Sequence, residues 1–290
     1  MEVEKGSVRA NGLEFAYLEA GEGPLALCLH GFPDSAWSWR HLLPELAGAG
    51  FRAVAPFMRG YAPTAVADDG QYGTGALAAD ACALHEALGG DADAVLIGHD
   101  WGATAVYGAA GAEPDRWRRL VTAAVPPLAV LAGTLFSYRQ LKRSFYIWFF
   151  QLPLAESAVA GDDLAFIDGL WDDWTGSGYD AAEDLDHVKD CLRPPGHLAA
   201  AIGYYRAMLG ATEQVPQYAD YQAAALQPTC KPTLYLHGNA DAALGVELLE
   251  NVEAFLAPGS ETVILDGLNH FAHLEEPKEV NRRILEFVIA

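Results

Sequence analysis

Short apolar runs alternate along the chain with longer stretches in which apolar residues recur at helical spacing. Such an alternation is typical of a mostly parallel β-sheet with helices on both faces, so it predicts an α/β fold. The runs that predict strands are Leu13–Leu18, Leu25–Leu29, Phe51–Ala55, Ala94–Ile97, Leu120–Val125, Thr233–Leu236 and Thr262–Leu265. The stretches that predict helices are Ala76–Leu88, Ala103–Gly111, Val246–Phe255 and Glu279–Val288.

The alternation stops between Pro126 and Pro228, where the sequence has no clear strand pattern. This interval is rich in aromatic residues, which mostly pack in protein cores: Phe136, Tyr138, Phe145, Tyr146, Trp148, Phe149, Phe150, Trp171, Trp174, Tyr204 and Tyr205. An insertion between two strands of a parallel sheet lies at the carboxyl edge, where α/β active sites form. We therefore predict a core domain of residues 1–126 and 228–290 and a helical cap, or lid, of residues 127–227.

Composition and charge exclude several classes of protein. The chain has 290 residues, of which 51% are hydrophobic and 20% charged, so it is not disordered as a whole. A formal net charge of −21 repels phosphate backbones and anionic lipids, so we expect neither nucleic acid nor a membrane as partner. The amino terminus has no apolar signal segment, no apolar run is long enough to span a bilayer, and the four cysteines lack a Cys-x-x-Cys spacing. We expect a cytoplasmic protein.

The segment Gly98-His-Asp-Trp-Gly102 follows a predicted strand and precedes a predicted helix. Small residues two before and two after Asp100 allow the tight strand-to-helix turn that projects a nucleophile above a sheet. A carboxylate is ionised at neutral pH, so Asp100 can attack an alkyl carbon without a base. The alternative, a helix N-cap, is a common role of Asp, but the glycine context favours a nucleophile.

This turn and the segment of residues 27–40, which reads Leu-Cys-Leu-His-Gly-Phe-Pro-Asp-Ser-Ala-Trp-Ser-Trp-Arg, resemble the α/β-hydrolase family. Within that family they are similar to the epoxide hydrolases and haloalkane dehalogenases, which use an Asp nucleophile, and the resemblance covers essentially the whole chain. It implies an α/β-hydrolase fold and an oxyanion hole made by the backbone N–H groups of Phe32 and Trp101. We expect four residues to belong to the substrate pocket: His30, Pro33, Trp37 and Phe149.

The resemblance also implies the other members of a catalytic triad, which in this fold follow the nucleophile in the order acid, histidine. The segment of residues 234–241 resembles the strand and loop that carry the acid, which would be Asp241, with Asp266 as the competing candidate. The segment of residues 265–277 resembles the terminal histidine loop and makes His270 the base. The histidines show no metal-ligand spacing, so we expect neither a metal nor a cofactor.

Two motifs in the predicted cap distinguish epoxide opening from halide release. The segments of residues 144–153 and 202–206 resemble the two lid-tyrosine segments of epoxide hydrolases, which implies Tyr146 and Tyr205 as O–H donors to the ring oxygen. The neighbouring Tyr204 is an alternative for the second donor. Halide departure needs two N–H donors instead, and the side chain of Phe32 offers none.

We therefore expect an enzyme that opens a small apolar epoxide to a vicinal diol through an ester on Asp100, which water activated by His270 and Asp241 then hydrolyses. It would act as a monomer or homodimer. The alternatives are a haloalkane dehalogenase with the same triad and a non-catalytic binding protein with a hydrolase fold. The segment of residues 125–128, Val-Pro-Pro-Leu, departs from the family pattern near the expected pocket mouth, so it bears on substrate choice.

Overall fold

A computed structural model describes residues 2–210 and 215–290. Its strands are β1 Glu4–Ala10, β2 Leu13–Ala20, β3 Leu25–Leu29, β4 Arg52–Pro56, β5 Val95–His99, β6 Arg119–Ala123, β7 Thr233–Gly238 and β8 Glu261–Leu265. Its α-helices are α1 Leu43–Gly48, α2 Thr74–Ala87, α3 Trp101–Ala112, α4 Leu128–Thr134, α5 Tyr138–Arg143, α6 Phe145–Phe149, α7 Ala155–Val159, α8 Gly161–Trp174, α9 Ala182–Leu192, α10 His197–Met208, α11 Ala219–Ala224, α12 Ala272–Glu275 and α13 Pro277–Ile289.

The eight strands form one sheet in the order β1-β2-β4-β3-β5-β6-β7-β8. Strands β1 and β2 run antiparallel, as do β2 and β4, whereas every pair from β4 to β8 along the sheet is parallel. Strands β3, β5 and β7 are buried along their whole length, because helices cover both faces of a parallel sheet. The predicted α/β class, with a mostly parallel sheet, is confirmed.

Two local predictions differ from the structure. Strand β1 was not predicted, because its sequence is polar and its side chains are largely exposed at the sheet edge. It pairs with β2 through the two-residue turn Asn11-Gly12, whose φ angles of 42° and 80° are typical of a hairpin. The predicted helix Val246–Phe255 is wrong: two 3₁₀ turns occupy it, because Asn251 adopts a left-handed φ of 63° between them.

Between β6 and β7 the described residues form helices α4 to α11 and no strand. Side chains from three of these helices, Ile147, Ile167 and Ile202, belong to the same buried apolar cluster as the sheet. Helix α11 lies against the N-terminus of α2, where Gly75 N–H donates to Gln222 Oε1 at 2.9 Å. None of the helices in residues 2–210 and 215–290 is long and apolar enough to span a bilayer.

Candidate active site

Asp100 stands at a sharp turn between β5 and α3. Its backbone has φ 50° and ψ −116°, a conformation that costs a non-glycine residue about 1–3 kcal/mol and persists only where the surroundings enforce it. The two flanking glycines make the turn possible. A Cβ on Gly98 would lie 2.4 Å from the carbonyl carbon of Gly102, and a Cβ on Gly102 would lie 2.1 Å from the Leu29 oxygen. The turn therefore raises the Asp100 carboxylate above the carboxyl edge of the sheet.

The loop after β3 brings a backbone donor to this carboxylate. Phe32 N–H donates to Asp100 Oδ1 at 2.8 Å. The imidazole of His30 fixes the loop, because its Nε2 accepts from Met58 N–H at 3.0 Å and its Nδ1 donates to the Gly31 oxygen at 2.9 Å. Trp101 is the first residue of the twelve-residue helix α3, whose N-terminal end favours negative charge.

A carboxylate and an imidazole from the far end of the chain complete a row with Asp100. Asp241, in the loop after β7, accepts the backbone N–H groups of Ala243 and Leu244 on Oδ1, both at 2.8 Å. Its Oδ2 accepts from His270 Nδ1 at 2.9 Å. The other ring nitrogen, His270 Nε2, lies 3.8 Å from Asp100 Oδ2. The three side chains are thus aligned in the order Asp241, His270, Asp100.

Burial and neighbouring charges shift the pKa values of His270 and Asp241 in opposite directions. Burial by itself would lower the pKa of His270, but the negative charge and hydrogen bond of Asp241, together with the charges of Asp100 and Asp34, outweigh it and raise that pKa above the ordinary value. Burial by itself would raise the pKa of Asp241, but His270 and the backbone donors hold it below the ordinary value. The competing carboxylate, Asp266, is exposed and accepts from Asn239 Nδ2 at 2.7 Å. The geometry therefore joins His270 to Asp241 rather than to Asp266.

A cavity of about 300 Å³ adjoins Asp100, and Tyr146 and Tyr205 line it. The two phenol rings stand edge to face with centroids 5.5 Å apart. Burial raises the pKa of both hydroxyls well above the ordinary value, so both stay protonated as donors. Tyr204 does not line the cavity, because its hydroxyl turns away and donates to the Arg59 oxygen at 2.8 Å.

The rest of the cavity wall is mainly aliphatic. Besides Asp100 and the two tyrosines, its lining consists of Gly73, Thr74, Trp101, Thr104, Val125, Leu128, Leu131, Leu135, Phe136, Ile147, Ala207, Met208, Leu209, Gln222, Leu226 and Leu244. Sequence reasoning did not identify most of these residues. The signal for two of them was the departure from the family pattern at Val125–Leu128, since both ends of that segment face the cavity.

The four residues predicted to belong to the pocket lie outside this cavity. The ring of His30 is occupied by the backbone contacts described above, and the Pro33 oxygen accepts from Trp171 Nε1 at 2.8 Å. Trp37 stacks on His187 with ring centroids 4.8 Å apart. Phe149 stacks on Phe166 of α8 with ring centroids 5.5 Å apart. Many of the aromatic residues between β6 and β7 thus pack on one another.

Among the described residues, Asp34, His99 and His273 form a buried group of potential metal ligands, with one ligand atom of each within 4.8 Å of the others. His99 Nδ1 lies 3.6 Å from Asp34 Oδ2, and His99 Nε2 donates to the backbone oxygen of His270 at 2.9 Å. None of the three residues lines the cavity next to Asp100. This group contacts the backbone of His270 rather than the cavity.

Comparison with known proteins agrees with this architecture. The family model described as "Alpha/beta hydrolase family" matches residues 26–283. Epoxide hydrolase 4 of Mus musculus is 31% identical over 97% of this chain and 78% of its own. Epoxide hydrolase A of Mycobacterium tuberculosis is 29% identical over 97% of this chain and 96% of its own.

Among solved structures, the crystal structure of Epoxide Hydrolase A from Mycobacterium thermoresistibile superposes with a TM-score of 0.84 at 28% identity. The superposition covers 100% of this chain and 99% of that one. The predicted α/β-hydrolase fold is confirmed. The chain belongs to the alpha/beta hydrolase family, in the branch of the epoxide hydrolases.

Proposed function

We propose that this protein opens an epoxide to a vicinal diol through a covalent ester on Asp100. The observation that carries the proposal is the meeting of three groups around Asp100. The Asp100 carboxylate and two protonated phenols, Tyr146 and Tyr205, line one cavity, and the aligned Asp241–His270 pair reaches Asp100 from beside it, with His270 Nε2 3.8 Å from Asp100 Oδ2. The first half of the reaction needs the carboxylate and the phenols, and the second half needs the Asp–His pair. The similarity to epoxide hydrolases of other organisms supports the same activity.

In the first half, a carboxylate oxygen of Asp100 attacks a ring carbon of the epoxide. The C–O bond of the ring breaks, and its electron pair moves to the ring oxygen. Tyr146 and Tyr205 donate hydrogen bonds to that oxygen, and one of them transfers a proton to it. Their raised pKa values support the hydrogen-bonding role, because both phenols keep the proton that they donate.

In the second half, water attacks the carbonyl carbon of the Asp100 ester while His270 Nε2 takes the water's proton. Asp241 holds the imidazole in the tautomer that leaves Nε2 free to accept and stabilises the imidazolium. The oxyanion forms on Asp100 itself, where the N–H groups of Phe32 and Trp101 would stabilise it. The ester bond then breaks at the acyl carbon, and the imidazolium returns its proton to the departing oxygen, so that the diol leaves. The proton of the new carboxyl group restores the tyrosine that gave its proton in the first half, and Asp100 is again a carboxylate.

Replacement of His270 by Gln tests the ester directly. The variant can still be alkylated but lacks the base for hydrolysis, so one equivalent of epoxide should remain attached to Asp100 and raise the protein mass by the mass of the substrate. His187→Gln is the matched control, because that histidine stacks on Trp37 away from the cavity. A His270→Gln variant that turns over without any mass increase would refute the ester route.

Isotope labelling gives an independent check. A single turnover in oxygen-18 water should label the Asp100 carboxylate, because water attacks the acyl carbon and the original carboxylate oxygen leaves with the diol. Label in the diol alone would mean that water attacks the epoxide directly. Halide release from a bromoalkane, without diol from any epoxide, would instead favour the dehalogenase that uses the same triad.

The helices between β6 and β7 would supply a cap. We propose that residues 127–227 form it and that residues 1–126 and 228–290 form the core. The support is that Tyr146 on α6 and Tyr205 on α10 line the same cavity as Asp100 and lie in helices that intervene between two adjacent strands. Helix α11 also contacts the core helix α2 through Gln222.

A further inference from the structure

The cavity wall changes in character with distance from the reacting groups. Its aromatic residues Trp101, Tyr146 and Tyr205 pack against one another beside Asp100, with centroids 5.2 Å and 5.5 Å apart. The remaining lining is mainly aliphatic, apart from Phe136 and the uncharged polar residues Thr74, Thr104 and Gln222. Leu128, Leu131 and Leu135, from helix α4 and its C-terminal end, are part of it. The recurrence at i, i+3 and i+7 places these leucines on one face of the helix.

The aliphatic part of the cavity reaches the surface. Phe136, Met208 and Leu226 line the cavity and are 63%, 37% and 47% exposed, whereas Asp100 is only 8% exposed. Single exposed apolar residues are common, but three around one opening form an apolar rim. The cavity is therefore a passage with a buried reactive end and an apolar mouth.

No cationic side chain among the described residues lines this passage, and Asp100 is its single charged group. The arginines on neighbouring helices are already paired: Arg206 with Glu156 and Arg143 with Glu247, each at 2.5 Å. The chain as a whole carries a formal charge of −21. A carboxylate on a bound substrate would thus lie in a mainly apolar passage without a counter-ion, in a protein whose net charge has the same sign.

We propose, on the basis of the proposed function, that the substrates are uncharged epoxides with an extended alkyl substituent, which lies along the α4 leucines and points to the apolar mouth. Epoxides with a carboxylate at the far end of the chain are rejected. Leu131, Leu135 and Leu226 determine this specificity. The alkyl chain gains affinity from each methylene that leaves water, whereas the carboxylate loses its hydration without a cationic partner.

The test measures kcat/KM for two matched series of terminal epoxides, 1,2-epoxyalkanes of four to ten carbons and ω-epoxy carboxylic acids of the same lengths. In the neutral series kcat/KM should rise about two- to fourfold per added methylene until the chain reaches the mouth. At eight carbons the carboxylate should react roughly 100-fold more slowly than the neutral epoxide.

A charge placed at the mouth should change this selectivity. Leu226→Arg puts a cation on a residue that is already partly exposed, so the fold is preserved, and the ratio of carboxylate to neutral kcat/KM should rise at least about tenfold. Gln227→Arg adds the same charge to the next residue, which is exposed and does not line the cavity, and should leave the ratio unchanged.

The outcomes distinguish a wrong substrate class from a wrong proposed function. Turnover of both series with equal kcat/KM, or a ratio that responds equally to both arginines, overturns the substrate class and leaves the epoxide hydrolase activity standing. Absence of turnover with every epoxide of both series, by a protein with a native circular dichroism spectrum, overturns the proposed function itself.

Discussion

Replacement of Asp241 by Asn removes one negative charge from the row formed by Asp241, His270 and Asp100. The side chain at position 241 keeps its size and shape. The Asn oxygen can still accept the N–H groups of Ala243 and Leu244, so the loop after β7 should hold its conformation. The amide nitrogen then faces His270 Nδ1, which has to accept rather than donate. This forces the proton of the neutral imidazole onto Nε2, the atom that must take a proton from water.

The size of the effect follows from the contact in the structure. His270 Nδ1 and Asp241 Oδ2 are 2.9 Å apart and buried. Charge centres about 4 Å apart at an effective dielectric constant of about 20 attract by about 4 kcal/mol, which the imidazolium in the hydrolysis step would lose. Because each 1.36 kcal/mol is a factor of ten in rate, ester hydrolysis should slow by about 10³-fold, and the wrong tautomer adds to this loss.

Pre-steady-state kinetics with a chromogenic or fluorogenic epoxide measure the rates of alkylation and of ester hydrolysis separately. Asp241→Asn should show a burst of one equivalent of substrate consumed, followed by slow turnover, because alkylation of Asp100 does not require the base. Asp266→Asn is the matched control: that exposed carboxylate contacts Asn239, so its variant should keep the rates of the unmodified protein. A normal steady-state rate in Asp241→Asn, or a burst in Asp266→Asn, would refute the assignment.

The remaining predictions concern pH, the ring-oxygen donors and the turn at the nucleophile. His270 must be neutral to act as a base, and the charge and hydrogen bond of Asp241, which remain in the ester, favour its protonated form. The rate of ester hydrolysis should therefore increase with pH as His270 loses its proton, and a pH–rate profile of single turnovers measures this increase. Tyr146→Phe and Tyr205→Phe should each slow alkylation by about 10²-fold or more in stopped-flow traces, while Tyr204→Phe, which loses a bond to a backbone carbonyl instead, should not; equal losses in all three would contradict the donor assignment. Gly102→Ala places a methyl group 2.1 Å from a backbone oxygen of β3, so urea unfolding should show a loss of more than about 2 kcal/mol, and a loss below about 0.5 kcal/mol would contradict the steric reasoning.

The sequence by itself identified features that depend on neighbours along the chain. The turn around Asp100 is encoded in the five consecutive residues 98–102, because its two glycines flank Asp100 closely in the chain. The parallel strands were readable because helices on both faces leave them apolar throughout. The apolar spacing predicted a helix at Val246–Phe255, but this prediction is wrong because the left-handed backbone of Asn251 separates two 3₁₀ turns there.

The tertiary structure decided what depends on the direction of side chains. Asp241 and Asp266 both follow strands, and only the packing of the loops brings one of them to within 2.9 Å of His270. Tyr204 and Tyr205 are adjacent on α10, so they point about 100° apart and one of them faces the cavity.

The lining of the cavity also depends on the tertiary structure rather than on the sequence pattern. The sequence indicated an aromatic lid, yet Phe149 stacks on another ring of the cap, and the cavity wall combines Tyr146 and Tyr205 with leucines such as Leu128 and Leu131 of α4. Composition determines how much apolar surface a helix can bury, but the angle at which it packs determines which of its residues face the cavity. That angle is fixed by contacts between residues distant in the chain, which no local pattern contains.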